Sequence, residues 1–425
     1  METADRVRPA CVSIQIVMES LESGVMEKGS GVGSGVIIDA EGHVLTNFHV
    51  AGRAARMIVT MANGEKVGAR LVGSDPYTDL AVIQLNLDEL KTTTLTWASL
   101  GDSDEVQTGQ SCMALGSPLG LKQTATKGIV SNAQRYFSGD FRMPSGERSG
   151  EFNNWIQTDA PLNGGNSGGP LVNNRGEVIG INARAMGRDG LGFAIPINVA
   201  KSVMQQILEH GEVIRSWAGI ELQSMEDFSE FLGTELGRGA LIGSVVEGSP
   251  ADRAGLRTGD VLLQWGEDVT NARFIHEVPP LRQMMADTPP GSTVPVVVFR
   301  DGEELRMELS LERLESPIGD DFECPAWRCS VREMTRYLAR ARRMETTYGV
   351  LVLGVSDVGP AERAGLKVGD VIVKLDGELV EDLEQFQTLY EKSVEAAKAE
   401  VLLSVLRGKG RRLIVIETNP GSTGQ

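Results

Sequence analysis

The chain has 425 residues, a formal net charge of −17 at pH 7 and a globular composition with 50 glycines and 5% aromatic residues. That length exceeds one ordinary hydrophobic core and predicts two to four domains. So acidic a surface repels nucleic acid and anionic membranes, which excludes both as main partners. No apolar run reaches membrane-spanning length, and the start "METADRVRPACVSIQIVMES" lacks a basic segment followed by an apolar core. With no readable export signal, the expectation is a protein that has lost a leader or one that stays inside the cell.

The first half reads as short strands separated by turns: "VSIQIVM", "SGVIIDAEGHVLTN", "RMIVTM", "KVGARLVGSD", "LAVIQL", "CMALGS", "GIVSN", "NNWIQTD", "PLVNN", "EVIGINA" and "GFAIPI". Short strands at regular spacing, with Gly, Asn and Asp at the corners, predict an all-β barrel or sandwich. A helix follows in "NVAKSVMQQILEHG", with Asn198 as expected N-cap, Val199, Val203 and Ile207 on one stripe, and Gly211 as the stop. It closes a first domain at 1–211; His210, in its last turn, suits the helix dipole.

Beyond it the sequence repeats. "SPADRAGLRTGDVLLQWGEDV" at 249–269 returns as "GPAERAGLKVGDVIVKLDGEL" at 359–379, so two small α/β domains of one kind are expected, at 212–314 and 327–418. Between them 315–326 has the Pro, Gly and acidic content of a linker, and 419–425 reads as a disordered tail. Four cysteines, Cys11, Cys112, Cys324 and Cys329, are too few for a disulfide framework. The pair in "CPAWRC" has no nearby His or further Cys to complete four ligands, so no metal is expected.

The chemistry concentrates in "LNGGNSGGP", residues 162–170, where glycines surround Ser167. Glycine is costly to order and is kept where backbone must take unusual dihedrals or approach closely. Such a turn can hold Ser167 out while the amides of Gly165 and Ser167 converge on a developing oxyanion. A serine needs a base, and the base an orienting acid. His49, in "TNFHVAG", ends a strand where the chain turns toward a cleft, whereas His43 leads a strand and is expected at the surface. Asp79 opens the apolar strand "LAVIQL" and is expected to be buried, where a neutral imidazole donating to it satisfies both groups; Asp75, before Pro76, suits a turn. The order His49, Asp79, Ser167 on an all-β chain is that of double β-barrel serine proteases.

The blocks "TNFHV", "TDLAV" and "GNSGGP", together with both repeat copies, resemble the HtrA/Deg family of serine proteases with two PDZ domains, over nearly the whole chain. The resemblance implies a chymotrypsin-like double β-barrel followed by two PDZ domains, with Ser167 as nucleophile, His49 as base, Asp79 as orienting acid, and an oxyanion hole at Gly165, Asn166 and Ser167. It places the specificity pocket at Pro161, Leu162, Ile181 and Asn182. The acidic residue that trypsin-like enzymes carry six before the serine is Pro161 here, so small or medium aliphatic side chains are the expected substrates. Asn166 stands where secretory proteases of the trypsin type have Asp, which argues against activation by N-terminal trimming. The segment 135–154 occupies the place of the family's sensor loop.

A PDZ domain adds a peptide strand to a sheet edge and holds its carboxylate in a loop of backbone amides. In the first copy that loop is expected at Trp217, Ala218, Gly219 and Ile220. In the second it falls on "AWRCSV", with Arg328 where the first has Gly219, which puts peptide capture in doubt there. The resemblance further implies an ATP-independent endoprotease of the cell envelope or periplasm acting on unfolded polypeptides, with chaperone-like holding, as a homotrimer or larger assembly; no "GxxxxGK[ST]" loop is present and no cofactor is expected. The alternatives are a catalytically quiet PDZ scaffold and a narrow regulatory protease switched on by a PDZ ligand.

Overall fold

The computed structural model describes residues 2–91, 94–116, 124–137, 150–186, 191–226, 228, 238–342, 344 and 346–418. Residues 138–149 of the expected sensor loop, and the tail 419–425, lie outside them. The chain forms two units, Met1–Ile16 with Gly31–Leu314, and Val17–Ser30 with Glu315–Gln425.

Helix α1 (Glu2–Val7) leads into β1 (Cys11–Ser20), β2 (Glu27–Ile37), β3 (His43–Thr46), the one-turn helix α2 (Phe48–Ala51), β4 (Ala54–Thr60), β5 (Lys66–Asp75) and β6 (Leu80–Leu85). These strands close a barrel in the order β1-β2-β3-β6-β5-β4. A second barrel, ordered β10-β11-β12-β9-β8-β7, is built from β7 (Ser111–Gly116), β8 (Thr124–Arg135), β9 (Trp155–Thr158), β10 (Pro170–Asn173), β11 (Val178–Met186) and β12 (Leu191–Pro196). Closure removes the open edges that would otherwise template pairing with other chains.

The apolar runs are explained by burial on both faces. Leu80, Ala81, Val82 and Ile83 of β6 have no exposed surface and share one core with Ala200, Val203 and Ile207 of helix α3 (Ile197–His210). This helix stops at Gly211, φ 81°, as expected. Its start corrects the sequence reading: Pro196 holds the cap position and Asn198 lies inside the first turn, where its side chain donates to Asp102 at 2.7 Å. His43 is also corrected. It is buried rather than on the surface, its Nδ1 2.7 Å from Asp39 Oδ2 and its amide donating to Asp39 Oδ1 at 3.1 Å, so the Asp39 side chain folds back onto it.

The first repeat copy comprises β13 (Ser216–Trp217), β14 (Ile220–Gln223), β15 (Ala240–Val245), α4 (Pro250–Arg253), β16 (Val261–Trp265), β17 (Asp268–Val269), α5 (Val278–Asp287), β18 (Thr293–Arg300), β19 (Glu303–Ser310) and β20 (Glu312–Arg313). Its main sheet runs β14-β15-β16-β18-β19, with β17 on β16 and β13 paired separately with β20.

The second unit contains β21 (Asp321–Cys324), β22 (Cys329–Glu333), α6 (Arg336–Ala341), β23 (Val350–Val355), α7 (Pro360–Arg363), β24 (Val371–Leu375), β25 (Glu378–Leu379), α8 (Leu383–Glu395), β26 (Glu400–Arg407) and β27 (Gly410–Glu417). The sheet order is β21-β22-β23-β24-β26-β27. Residues 321–324 thus form a strand inside the stretch the sequence reads as a linker. The neighbouring Pro, Gly and acidic residues mask a short alternation in which Cys324 enters the core and Phe322 packs against it. Residues from Val17–Ser30 join this unit: Ser330 Oγ donates to Leu21 O at 2.5 Å and Met26 N to Glu323 Oε1 at 3.1 Å.

The "GD" of each copy makes the same bracket. Arg300 Nε and Nη2 donate to Asp260 at 2.6 and 2.7 Å, and Nη2 also to Gly255 O at 2.8 Å. Arg407 repeats this on Asp370 at 2.6 and 2.7 Å and on Gly365 O at 2.7 Å. Each carboxylate is 1% exposed, so its charge is met by a two-pronged cation instead of water.

Candidate active site

Asp79 stands at the N-terminal edge of β6 with φ 59°, a left-handed conformation that a short polar side chain tolerates better than most. Its carboxylate is wholly buried and lies 2.9 and 3.0 Å from His49 Nδ1, while Oδ1 also accepts from the His49 amide at 3.0 Å. Its carbonyl accepts from Phe48 N and Asn47 Nδ2, both at 3.0 Å. The acid therefore fixes the imidazole and the backbone of α2 together. With Nδ1–H given to Asp79, Nε2 is left as acceptor.

The turn before Asp79 is held by a group absent from the sequence reading. Arg215 donates from Nη1 and Nη2 to the two oxygens of Asp75 at 2.7 and 2.8 Å, with both side chains 2% exposed. Asp75 also accepts from Tyr77 N at 3.2 Å and from the Thr78 hydroxyl. The guanidinium carbon lies 4.8 Å from the Phe152 ring centroid. Burial works against the Arg215 charge, but the Asp75 carboxylate more than offsets it and leaves the guanidinium still harder to deprotonate. A lone Arg in "EVIRSWAG" was the available signal, yet Asp75 is 140 positions away, beyond any local pattern.

Ser167 is held between the two barrels. Its carbonyl accepts from Ser34 N at 2.8 Å, Ser34 Oγ donates to Gly165 O at 2.6 Å, and Thr46 Oγ1 donates to Ser34 O at 2.7 Å. From the second barrel, Gly168 N donates to Asn182 O at 2.8 Å. A Cβ on Gly168, φ 84°, would lie 2.1 Å from Ser34 O, so this residue must lack a side chain. The Ser167 hydroxyl donates to Ala183 O at 3.1 Å, and none of the hydrogen bonds among the described residues joins it to His49. Asn166 is 2% exposed and its buried Oδ1 has no partner among the described residues.

Of the expected pocket residues, Pro161 is exposed and Leu162 partly buried against Gly192. Ile181 and Asn182 are corrected: both have no exposed surface. Ile181 joins the core shared with the first barrel and α3, and the Asn182 amide donates to Pro170 O at 3.1 Å and Leu115 O at 3.3 Å beneath the serine turn. Residues 178–183 of β11 are buried on both faces, so these two neighbours, on opposite sides of the strand, both meet protein.

In the first repeat copy, Ala218 O accepts from Ala251 N at 3.0 Å and Gly219 O from Val246 N at 2.8 Å, which fixes the loop Trp217, Ala218, Gly219, Ile220 at the head of β14. Gly219 has φ 80°, and a Cβ there would lie 2.1 Å from that of Ser249. Among the described residues the Ala218 and Gly219 amides have no acceptor, and β14 pairs only with β15. Arg282 of α5 reaches Leu222 O of β14 at 2.9 Å. No three His, Cys, Asp or Glu side chains converge on a metal site among the described residues, where the four cysteines are buried and form no disulfide. No helix there is long and apolar enough to cross a membrane.

Residues 33–181 match the trypsin-like peptidase domain, and 205–311 and 333–418 each match the PDZ domain. The chain is 34% identical over 407 residues to a probable periplasmic serine endoprotease DegP-like of Hahella chejuensis, covering 92% of this chain and 81% of that one. It is 34% identical over 385 residues to the periplasmic pH-dependent serine endoprotease DegQ of Escherichia coli, covering 89% and 78%. Among solved structures, the HtrA-type protease AlgW with tripeptide shares 36% identity at a TM-score of 0.63, covering 74% of this chain and 97% of that one. Two closed barrels followed by two PDZ domains, and these relatives, place the chain in the HtrA family of serine endoproteases, in a DegP/DegQ-type arrangement.

Proposed function

We propose that the protein cleaves unfolded or damaged polypeptides without ATP in the periplasm, with Ser167 as nucleophile, His49 as general base and Asp79 as its orienting acid. The observation that carries this reading is the buried Asp79 carboxylate at 2.9 and 3.0 Å from His49 Nδ1, beside a serine on a glycine turn. Ser167 Oγ attacks the peptide carbonyl as its proton passes to His49 Nε2, Asp79 stabilises the imidazolium, and His49 returns the proton to the leaving amine. The acyl-enzyme is then hydrolysed by a water that gives its proton to the same nitrogen. The amides of Gly165 and Ser167 receive the oxyanion.

The Ser167 hydroxyl must exchange Ala183 O for His49 Nε2 before attack. This supports an enzyme that rests off and is switched on, and a second reading as a regulatory protease with few substrates. The first PDZ domain captures carboxylate-terminated chains at Ala218 and Gly219, with Trp217 and Ile220 flanking, and the protein works as a homotrimer or larger assembly. Casein cleavage at neutral pH without ATP tests the main reading: Ser167→Ala is expected to lower the rate at least about 1,000-fold. Undiminished cleavage by the variant refutes it, and cleavage of one protein alone in a panel of unfolded substrates selects the regulatory reading.

A further inference from the structure

The two PDZ domains differ at the groove edge. In the first, β14 borders α5. In the second, β22 has another strand there: β21 runs antiparallel to it, with Phe322 opposite Val331 and Cys324 opposite Cys329. Phe322 meets α8 edge-on, its ring centroid 6.4 Å from Phe386 and 5.6 Å from Tyr390. A PDZ ligand adds a strand in this place and orientation, between the edge strand and the helix, with its end against the amide loop.

The amide loop completes the likeness. Ala361 N donates to Trp327 O and Ser356 N to Arg328 O, each at 3.0 Å, as Ala251 and Val246 do to Ala218 and Gly219. Trp327 and Arg328 are therefore the counterparts of Ala218 and Gly219, and Arg328 takes the matching left-handed conformation at φ 56°. In the second domain both amides are engaged: Trp327 N donates to Cys324 O at 3.1 Å and Arg328 N to the same oxygen at 2.9 Å. A third amide, Ala326 N, donates to the Tyr390 hydroxyl at 3.0 Å. At its other end β21 is clamped by Arg332, whose guanidinium forks onto Asp321 at 2.5 and 2.8 Å.

We infer that the second PDZ domain carries its own ligand: β21 fills the peptide groove, with Phe322 on the helix, the Cys324 side chain in the place of a terminal residue, and the Cys324 carbonyl oxygen in the place of a terminal carboxylate. The chain turns back through Pro325 and Ala326 where a free peptide would end. The groove is closed to outside termini, and their capture falls to the first domain. The assignment rests on the PDZ geometry and is independent of the protease chemistry.

Residue-resolved hydrogen exchange on the full-length protein tests this. The probe is a synthetic decapeptide with an apolar C-terminal residue and a free carboxylate, with its C-terminal amide as control. In the unmodified protein, amides at 321–324 and 329–333 are expected to exchange as slowly as those of β23, and no more slowly when peptide is added. Phe322→Asp is expected to speed exchange in 329–333 by about 100-fold and to create protection there by the carboxylate peptide but not its amide. If β23 to β27 also lose protection, the substitution has unfolded the domain. Arg332→Ala, which removes the fork on Asp321, then serves, with a gain of about tenfold confined to 321–324 and 329–333. Peptide-dependent protection of 329–333 in the unmodified protein overturns the inference, as does unchanged exchange there in a folded Phe322→Asp variant.

Discussion

The two PDZ domains share a frame and diverge in what fills it. Arg300, Asp260 and Gly255 in the first, and Arg407, Asp370 and Gly365 in the second, repeat one bracket with hydrogen bonds of 2.6 to 2.8 Å. The edge strand of the first has a sheet partner on one side only among the described residues, whereas that of the second lies between β21 and β23. A repeat can thus conserve the electrostatics that hold a fold while the segment just before it decides whether the fold can receive anything.

The largest expected effect probes what is shared. Asp260→Asn and Asp370→Asn each leave a guanidinium facing a buried neutral amide, and each is expected to cost its own domain about 3–5 kcal/mol. Chemical denaturation followed by residue-resolved exchange reads the two domains separately, and a marked inequality would show that the brackets are not equivalent.

The next prediction sharpens the difference. Trp327 has no exposed surface and packs edge-on against Tyr390 and Phe386, at centroid distances of 4.8 and 6.0 Å. Its counterpart in the first domain is the small Ala218. Trp327→Ala is expected to cost about 3–5 kcal/mol by leaving a cavity, measured as a lower unfolding midpoint of the second domain. Trp217→Ala, at a partly exposed site, is expected to cost well under half as much, and equal losses would place Trp217 in an unrecognised core.

A smaller effect concerns Tyr390. Its hydroxyl accepts from Ala326 N, and Tyr390→Phe is expected to cost about 1 kcal/mol by leaving that amide unmet. Burial, with the nearby Cys324, Cys329 and Glu323 adding to it and the Ala326 amide opposing, pushes Tyr390 up to about 12 from an ordinary value of 10. A folded-state value above the unfolded one favours the neutral phenol. Its contribution is full below pH 10 and lost as pH rises from 10 to about 12. An alkaline titration should therefore weaken the second domain across that window, and Tyr390→Phe should flatten the loss.

Much of the molecule was determined by the sequence alone. Short apolar runs bounded by turn residues specify the strands, the repeat marks two like domains, and the order His49, Asp79, Ser167 points to one catalytic arrangement, because each of these signals is local or follows chain order. Tertiary structure decided what depends on distant partners. Asp75 reads as a turn residue until Arg215, 140 positions on, neutralises it in the interior. Ile181 and Asn182 read as pocket walls until the barrel closes over them. Residues 321–324 read as linker until β22 and α8 supply the two surfaces that make them a strand. In each case the deciding energy is burial or ion pairing with partners outside the stretch itself, and its local composition carries no trace of them.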